Sequence, residues 1–158
     1  MAAEVLQLED LAPRLGRFDR LMGLDLGTKT IGLALSDVER RLASPLDTIR
    51  RRRFSEDAAT LLKRIAEFQV AALIVGLPLN MDGGEGPRAQ STRAFVRNLP
   101  DRVSVSYWDE RLSTAAVTRE LIAQDASRKK RAEVVDRMAA AYILQGALDR
   151  LARIVAGK

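Results

Sequence analysis

The apolar positions in the first third of the chain follow the spacing of β-strands. Leu21–Leu26 is a short apolar run, Ile31–Leu35 is a second, and Leu42–Ile49 is a third that contains Pro45. Such runs predict strands, and the turn at residues 27–29 predicts that the first two form a hairpin. Because proline cannot donate a hydrogen bond to a neighbouring strand, Pro45 favours an edge position or a bend for the third run.

The rest of the chain alternates between helical and strand patterns. Apolar residues recur every three or four positions in the predicted helices, which are Phe54–Gln69, Arg88–Leu99, Ser113–Gln124 and Ala132–Val155. The predicted strands between them are Ala71–Val75 and Val103–Trp108, and the predicted loops are Asn80–Pro87 and Asp125–Arg131. An opening hairpin followed by strands that alternate with helices predicts an α/β protein with a five-stranded mixed sheet and helices on both faces.

The first 19 residues differ from the rest of the chain. They carry scattered apolar positions together with Pro13 and Gly16, which suggests a loosely attached N-terminal arm over residues 1–19. Residues 20–158 then form one domain, because 158 residues suit a single domain. No apolar run approaches the roughly 20 residues of a membrane span, and acidic residues interrupt the start of the chain where a signal peptide would be apolar. We therefore expect a cytoplasmic monomer or homodimer with no membrane contact.

The composition limits the chemistry available to the chain. It contains no cysteine and no histidine, so thiolate nucleophiles, zinc–thiolate sites and histidine bases are excluded. With 26 Lys and Arg against 21 Asp and Glu, the net charge is +5. A basic surface attracts phosphate backbones, although charge alone does not establish nucleic-acid binding. Any catalysis must use carboxylates, hydroxyls, lysine, arginine or hard cations.

Asp25 interrupts an otherwise apolar strand. Because side chains alternate along a strand, it shares a face with Gly23 and Gly27. The partner strand also carries small residues on one face, which are Gly32, Ala34 and Ser36. Small residues leave room for a metal ion, a phosphate or a closely packed helix. The alternative is that the glycines only relieve packing and turn strain, with Asp25 at a solvated strand end.

Glu110 follows the last predicted strand and has the same parity as Trp108. A carboxylate at a strand end, beside the start of a helix, is in a usual position for a functional site. The alternative is that Asp109 and Glu110 only stabilise the N-terminus of the next helix electrostatically.

Asp136 lies on one stripe of the final predicted helix. At about 100° per residue, it shares that stripe with apolar residues, which are Ala140, Ile143, Ala147, Leu151 and Ile154. The carboxylate therefore points inward, where it needs a metal ion or a basic partner. Pairing with a local arginine is the alternative. Three acids in a chain without histidine favour an oxygen-ligand site for Mg²⁺ or Mn²⁺.

Four blocks of the sequence carry a family resemblance. They are GLDLGTKTIGLALSD at 23–37, LIVGLPLNMDGGEGP at 73–87, DERLST at 109–114 and VDRMAAAYILQ at 135–145. Together they resemble the YqgF (RuvX) family, described as nucleases of pre-16S ribosomal RNA and related to Holliday-junction resolvases. The resemblance implies a ribonuclease H-like fold. It also implies that Asp25, Glu110 and Asp136 are the catalytic, metal-binding acids.

Nucleic-acid contacts are expected around these acids. The candidate residues are Thr28, Lys29, Asn80, Gly83, Gly84, Arg111, Lys129, Lys130 and Arg131. The glycines would let a substrate backbone approach closely, although a plain flexible turn is the alternative for that loop. The lead-in to Asp136 is longer than in the family pattern, so Glu133 is the fallback ligand. Arg50–Arg53 is a further basic run, for which a solvated surface is the commoner explanation.

The leading hypothesis is a metal-dependent endonuclease that matures the 5′ end of pre-16S rRNA, with structured rRNA precursor as its substrate. A Holliday-junction (DNA) resolvase is the runner-up with the same chemistry. A non-catalytic RNA-binding assembly factor is a third hypothesis. ATPase domains of the actin, Hsp70 and sugar-kinase type use a similar Asp-x-Gly-Thr hairpin, here Asp25–Thr28. Those proteins need two such domains to enclose a nucleotide, and this chain is too short for two.

Overall fold

One mixed β-sheet organises the part of the chain that the computed structural model describes, residues 2–112 and 128–157, with side chains of the last helix described from Val135 onward. The strands are β1 Glu4–Val5, β2 Arg20–Leu26, β3 Thr30–Ser36, β4 Ala43–Arg50, β5 Val70–Leu77 and β6 Ser104–Asp109. The helices are α1 Leu8–Leu11, α2 Phe54–Glu67, α3 Pro87–Arg97 and α4 Arg128–Val155, with short 3₁₀ helices at Ala12–Arg14 and Glu110–Leu112.

The strands described lie side by side in the order β1-β6-β5-β2-β3-β4. The β2, β3 and β4 strands form an antiparallel meander, whereas β5 lies parallel to β2 and β6 parallel to β5. The parallel pairs follow from the intervening helices α2 and α3, which carry the chain back before the next strand begins. This arrangement confirms the α/β class and the ribonuclease H-like fold that the resemblance implies.

The sheet has one strand more than the five that the sequence predicts. The additional strand is β1, which pairs in parallel with β6 so that Glu4 lies opposite Ser104. A two-residue strand is too short to leave a periodic signal in the sequence. Leu8 and Leu11 in the following helix are buried, so the prediction of a loosely attached N-terminal segment is wrong.

The two faces of the sheet carry different side chains. On one face, which we call the core face, large residues pack against α2 and α3; they include Met22, Leu24, Leu26, Ile31, Leu33, Leu73 and Val75. On the other, which we call the site face, α4 and α1 cover a second cluster that includes Leu21, Ala34, Ala72, Ile74, Ala140, Ile143 and Leu144. Helices therefore cover both faces, as predicted.

Most predicted boundaries agree with the structure to within two residues, and the last helix is the exception. It begins at Arg128 rather than Ala132, so residues 128–131 of the predicted loop are helical. The helix predicted at Ser113–Gln124 and the first part of that loop lie outside the described residues. Within the described ranges, no helix has the length and apolar character needed to cross a membrane.

Candidate functional site

Glycines on the site face let α4 lie directly against β2 and β3. A methyl group added at Gly23 would lie 2.6 Å from the carbonyl oxygen of Ala140 and 2.8 Å from Cβ of Leu144. One added at Gly32 would overlap the backbone carbonyl of Asp136. Contacts this short leave no room for a side chain at either position unless α4 moves. The small residues of the hairpin therefore make room for a helix, one of the roles considered from the sequence.

Asp25 lies at the centre of this packed region. It pairs in register with Gly32 of the neighbouring strand, and its exposed fraction is 0%. The backbone of α4 covers Gly32 at Asp136, so Asp25 lies beneath that part of the helix. The alternative of a solvated strand end is therefore wrong. A carboxylate withdrawn from water in this way requires compensating polar interactions.

Asp136 points from α4 toward the β2–β3 hairpin. The Thr30 hydroxyl donates a hydrogen bond to Oδ2 of Asp136, and a methyl group at Gly27 would lie 3.0 Å from the same oxygen. The inward direction predicted from the helical stripe is thus confirmed. Thr30 was missed as a partner, although strand alternation from Gly32 places it on the site face.

Glu110 reaches the same face from the end of β6. It begins the 3₁₀ helix Glu110–Leu112, and a methyl group at Gly76 would lie 2.8 Å from its Oε1. The same methyl group would also overlap Cδ1 of Ile143 in α4, which identifies this side of Gly76 as the site face. The parity prediction for Glu110 is therefore confirmed. Gly76 lies in β5, the strand beside the one that carries Asp25.

The three acids thus share the site face at one end of the sheet. Asp136 lies over the hairpin, Asp25 in the strand beneath α4, and Glu110 over β5. Among the residues described, no three acidic or similar side chains lie close enough together to form a complete metal-binding group. The fold therefore brings the acids to one region without gathering them around one point. Their donor atoms are all carboxylate oxygens, which fit a hard divalent cation.

Arg111 ties the loop after β5 to this region. Its guanidinium donates hydrogen bonds to both carboxylate oxygens of Asp109, at 2.7–3.1 Å, and a longer one of 3.2 Å to the carbonyl of Met81. These hydrogen bonds from Arg111 are the main cause that lowers the pKa of Asp109 below its usual range. The residue after Glu110 therefore links the end of β6 to the loop that follows β5.

The loop itself is a hydrogen-bonded turn. The Asn80 amide donates to the Gly84 carbonyl at 2.8 Å, and the Gly83 amide donates to the Asn80 carbonyl at 2.8 Å. Gly83 has φ of 89°, a left-handed conformation that glycine adopts without the strain a side chain would add. Asn80, Gly83 and Gly84 are exposed beside the site, as are Thr28 and Lys29 at the hairpin tip.

For the remaining basic candidates, the structure describes the backbone but not the side chains. Lys129, Lys130 and Arg131 lie in the first turns of α4, and their side chains, like that of Glu133, fall outside the described set. Contact of any of these residues with nucleic acid stays a prediction, as does the catalytic role of the three acids.

Comparison with known proteins finds one family and many curated relatives. The family model RuvX, described as "Holliday junction resolvase", matches residues 19–150. A protein of Methylocella silvestris named "Putative pre-16S rRNA nuclease" is 68% identical and aligns over 99% of this chain and 98% of its own. A protein of the same name from Beijerinckia indica is 67% identical over 96% of this chain and 93% of its own. Among solved structures, T. thermophilus RuvC in complex with Holliday junction substrate has a TM-score of 0.49 and 15% identity, over 85% of this chain and 96% of that one.

Proposed function

The chain belongs to the RuvX family, and from that premise we propose that it is a divalent-metal-dependent endonuclease that cleaves phosphodiester bonds in nucleic acid. The observation that carries the proposal is the shared position of Asp25, Asp136 and Glu110 on the site face. Two of them come from strands β2 and the end of β6, and the third comes from a helix more than 20 residues further along the chain. The rest of the site face is packed with apolar side chains, so acids gathered at one end of it are not explained by stability alone.

We assign the metal to the three carboxylates, which would have to move closer together to surround a bound ion. Asp25 is the most buried of the three and lies in a strand, so it is the natural shared ligand, with Glu110 and Asp136 on either side. A bound Mg²⁺ or Mn²⁺ would supply activation of water and stabilisation of the leaving oxygen. Thr30 holds the Asp136 carboxylate against the hairpin, so it is a positioning residue. Since the chain has no histidine, a proton lost by the attacking water passes to a carboxylate, a lysine, a phosphate oxygen of the substrate or solvent.

Structured rRNA precursor is the favoured substrate, and maturation of the 5′ end of 16S rRNA in the cytoplasm is the favoured process. The names of the relatives support this substrate. The description of the family model supports junction DNA as the second candidate for the same chemistry. Aromatic residues make up only 4% of the chain, so base stacking contributes little and recognition is mainly of backbone and shape.

The deciding experiment compares wild type with Asp25→Asn on an end-labelled pre-16S RNA fragment and on a four-way DNA junction, with and without Mg²⁺. Asparagine keeps the size of the side chain but removes the charge that binds the metal. We expect cleavage of RNA by the wild type in Mg²⁺ and a loss of about 100- to 1,000-fold in the variant, since removing a group that stabilises the reacting charge costs about 3–4 kcal/mol.

The matched control is Asp101→Asn, which makes the same change at an exposed turn near the opposite end of the sheet. It should cleave like the wild type. Equal cleavage by Asp25→Asn and wild type would overturn the assignment of the acids. Cleavage of the junction but not of the RNA would favour the resolvase, and RNA binding without cleavage by any form would favour an assembly factor.

A further inference from the structure

A basic cleft lies beside the end of β2, the strand that carries Asp25. It has a volume of about 490 Å³ and is formed by the end of β2, the segment after β4 and the first turns of α3. The side chains that give it polarity are Arg51, Arg52, Arg88, Thr28, Ser91 and Thr92. None of the residues that line it is acidic. Three guanidinium groups and three hydroxyls are thus gathered in one concave surface.

Two of the arginines are held in place by backbone carbonyls at the end of the strand that carries Asp25 and just after it. Arg51 donates a hydrogen bond of 2.7 Å to the carbonyl of Gly27, and its guanidinium lies 5.7 Å from the ring centre of Phe95. Arg88 donates a longer hydrogen bond of 3.3 Å to the carbonyl of Leu26. These contacts use one or two of the five N–H donors of each guanidinium, which leaves the others for a ligand. The cleft is therefore largely preformed.

The positive charge of the cleft is not neutralised within the described residues. No ion pair joins Arg51, Arg52 or Arg88 to a described carboxylate, whereas the neighbouring Arg53 pairs with Glu56 at 3.8 Å. The buried acid nearby, Asp57, accepts the backbone amide of Arg52 rather than its guanidinium. An arginine run of this kind is commonly a solvated surface, but here two of its members converge with Arg88 from α3.

We propose that this cleft binds the phosphates of the substrate strand beside the bond that is cut, as a second contact surface of the nuclease. The proposal rests on the function proposed above. The cleft begins at Leu26, the residue after Asp25, and an extended chain advances about 3.5 Å per residue. The first cleft residues therefore lie within about 10 Å of Asp25. One strand of a duplex advances about 3.4 Å per nucleotide, so a phosphate bound next to these first cleft residues would be about three nucleotides from the cleavage point.

Arginine suits this role because its planar group offers paired donors to phosphate oxygens. Contacts to phosphate fix the position and direction of a strand without reading its bases. The cleft would thus orient the strand that enters the site. A flat basic surface would only raise the overall affinity.

The test uses Arg52→Gln/Arg88→Gln in the full chain, because neither side chain is buried and Arg52 has no described side-chain partner. Binding is measured by fluorescence anisotropy with a labelled pre-16S RNA hairpin and, separately, a four-way DNA junction, from 50 to 300 mM salt. Arg102→Gln, an exposed arginine at the opposite end of the sheet, is the matched control. Circular dichroism checks that all three proteins are folded.

At 100 mM salt, we expect the double variant to bind the nucleic acid that the wild type cleaves about 10-fold more weakly than the wild type does. The slope of log affinity against log salt should fall by about 0.7–0.9 for each phosphate that the variant no longer binds. Arg102→Gln should leave both values unchanged. Replacing the phosphates two to four nucleotides from the cleavage point with neutral methylphosphonates should weaken wild-type binding and abolish the difference between wild type and variant.

Unchanged affinity and salt slope in the double variant would overturn the proposal, as would failure of the wild type to bind either nucleic acid. An equal loss on neutral and charged substrates would also overturn it, because the arginines would then act through the fold. If the wild type binds but never cleaves, and the variant loses affinity, the cleft stands as a phosphate-binding surface, whereas its position beside a cleaved bond falls together with the nuclease function.

Discussion

The two faces of β2 and β3 are built from alternate residues of the same strands, yet they have opposite compositions. The core face presents Leu24, Ile31 and Leu33, all with an exposed fraction of 0%. The site face presents Gly23, Asp25 and Gly32 under the backbone of α4. Since neighbouring residues along a strand point to opposite faces, the strands can supply a packed core without placing large side chains in the site. Residues that stabilise the core and residues of the candidate site therefore alternate along the same strands.

The largest effect that tests this separation is expected on the core face. Leu24→Ala removes a fully buried side chain and should lower the free energy of unfolding by about 2–5 kcal/mol. For a chain of this size, that is a fall of about 5–15 °C in Tm. The cleavage rate of the folded fraction should stay close to wild type. Thermal unfolding and cleavage at a temperature where the variant is folded measure the two quantities. A cleavage loss as large as that of Asp25→Asn would show that the faces are not separable.

A substitution on the site face is expected to lower stability less than Leu24→Ala does, and to lower cleavage as well. Gly32→Ala places a methyl group against the backbone carbonyl of Asp136, so α4 must move. Overpacking of this kind costs about 1–3 kcal/mol. Because the displaced segment carries Asp136, cleavage should fall as well.

Gly16→Ala is the matched control for that variant. Its methyl group would meet only the movable end of the Asp19 side chain, at 3.0 Å, so stability and cleavage should hardly change. If Gly32→Ala lost stability but cleaved normally, the position of Asp136 would not matter for the reaction.

The smallest effect is expected in the stability of the protein at acidic pH, through the pair of Asp109 and Arg111 at the end of β6. Arg111 lowers the pKa of Asp109 in the folded protein, so this pair stabilises the fold above the usual carboxylate pKa of about 3.9. The contribution is lost as pH falls from there through the lowered pKa. Because the pair is partly exposed, screening by water keeps this contribution small. Thermal unfolding midpoints measured from pH 6 to pH 2 should fall slightly more steeply for wild type than for Asp109→Asn. Identical profiles for the two proteins would show that the pair does not stabilise the fold.

Strand parity places Asp25 on a face of small residues and the helical stripe points Asp136 inward from the sequence alone, whereas the choice of Glu110 depends mainly on the family resemblance. Both rules depend on local geometry, which Asp25 and Asp136 obey. The hydrogen bond from Thr30 to Asp136 and the contact from Arg111 to Met81 could not be predicted in the same way. Their partners are far apart in sequence and meet only because α4 and the loop after β5 reach the same end of the sheet.

The start of α4 shows a different limit of sequence analysis. Residues 128–131 are a serine-flanked basic stretch with no apolar position, so periodicity cannot mark them as helical. They are helical nevertheless, because the helix that buries the stripe from Asp136 onward extends backward through them. The basic cleft likewise depends on Arg51 and Arg88, which belong to segments whose proximity only the fold reveals.

The pairing of β1 with β6 has a consequence for how the chain is made. Glu4 and Val5 leave the ribosome well before their partners Ser104 and Val105 exist. At about 5–20 residues per second, the wait is roughly 5–20 s. Until then the outer edge of the growing sheet has no neighbour to receive the N-terminal segment, and the buried leucines that follow it have no surface to cover. Closure of that edge is therefore a late event in biosynthesis, because one of its strands is translated 100 residues before the other.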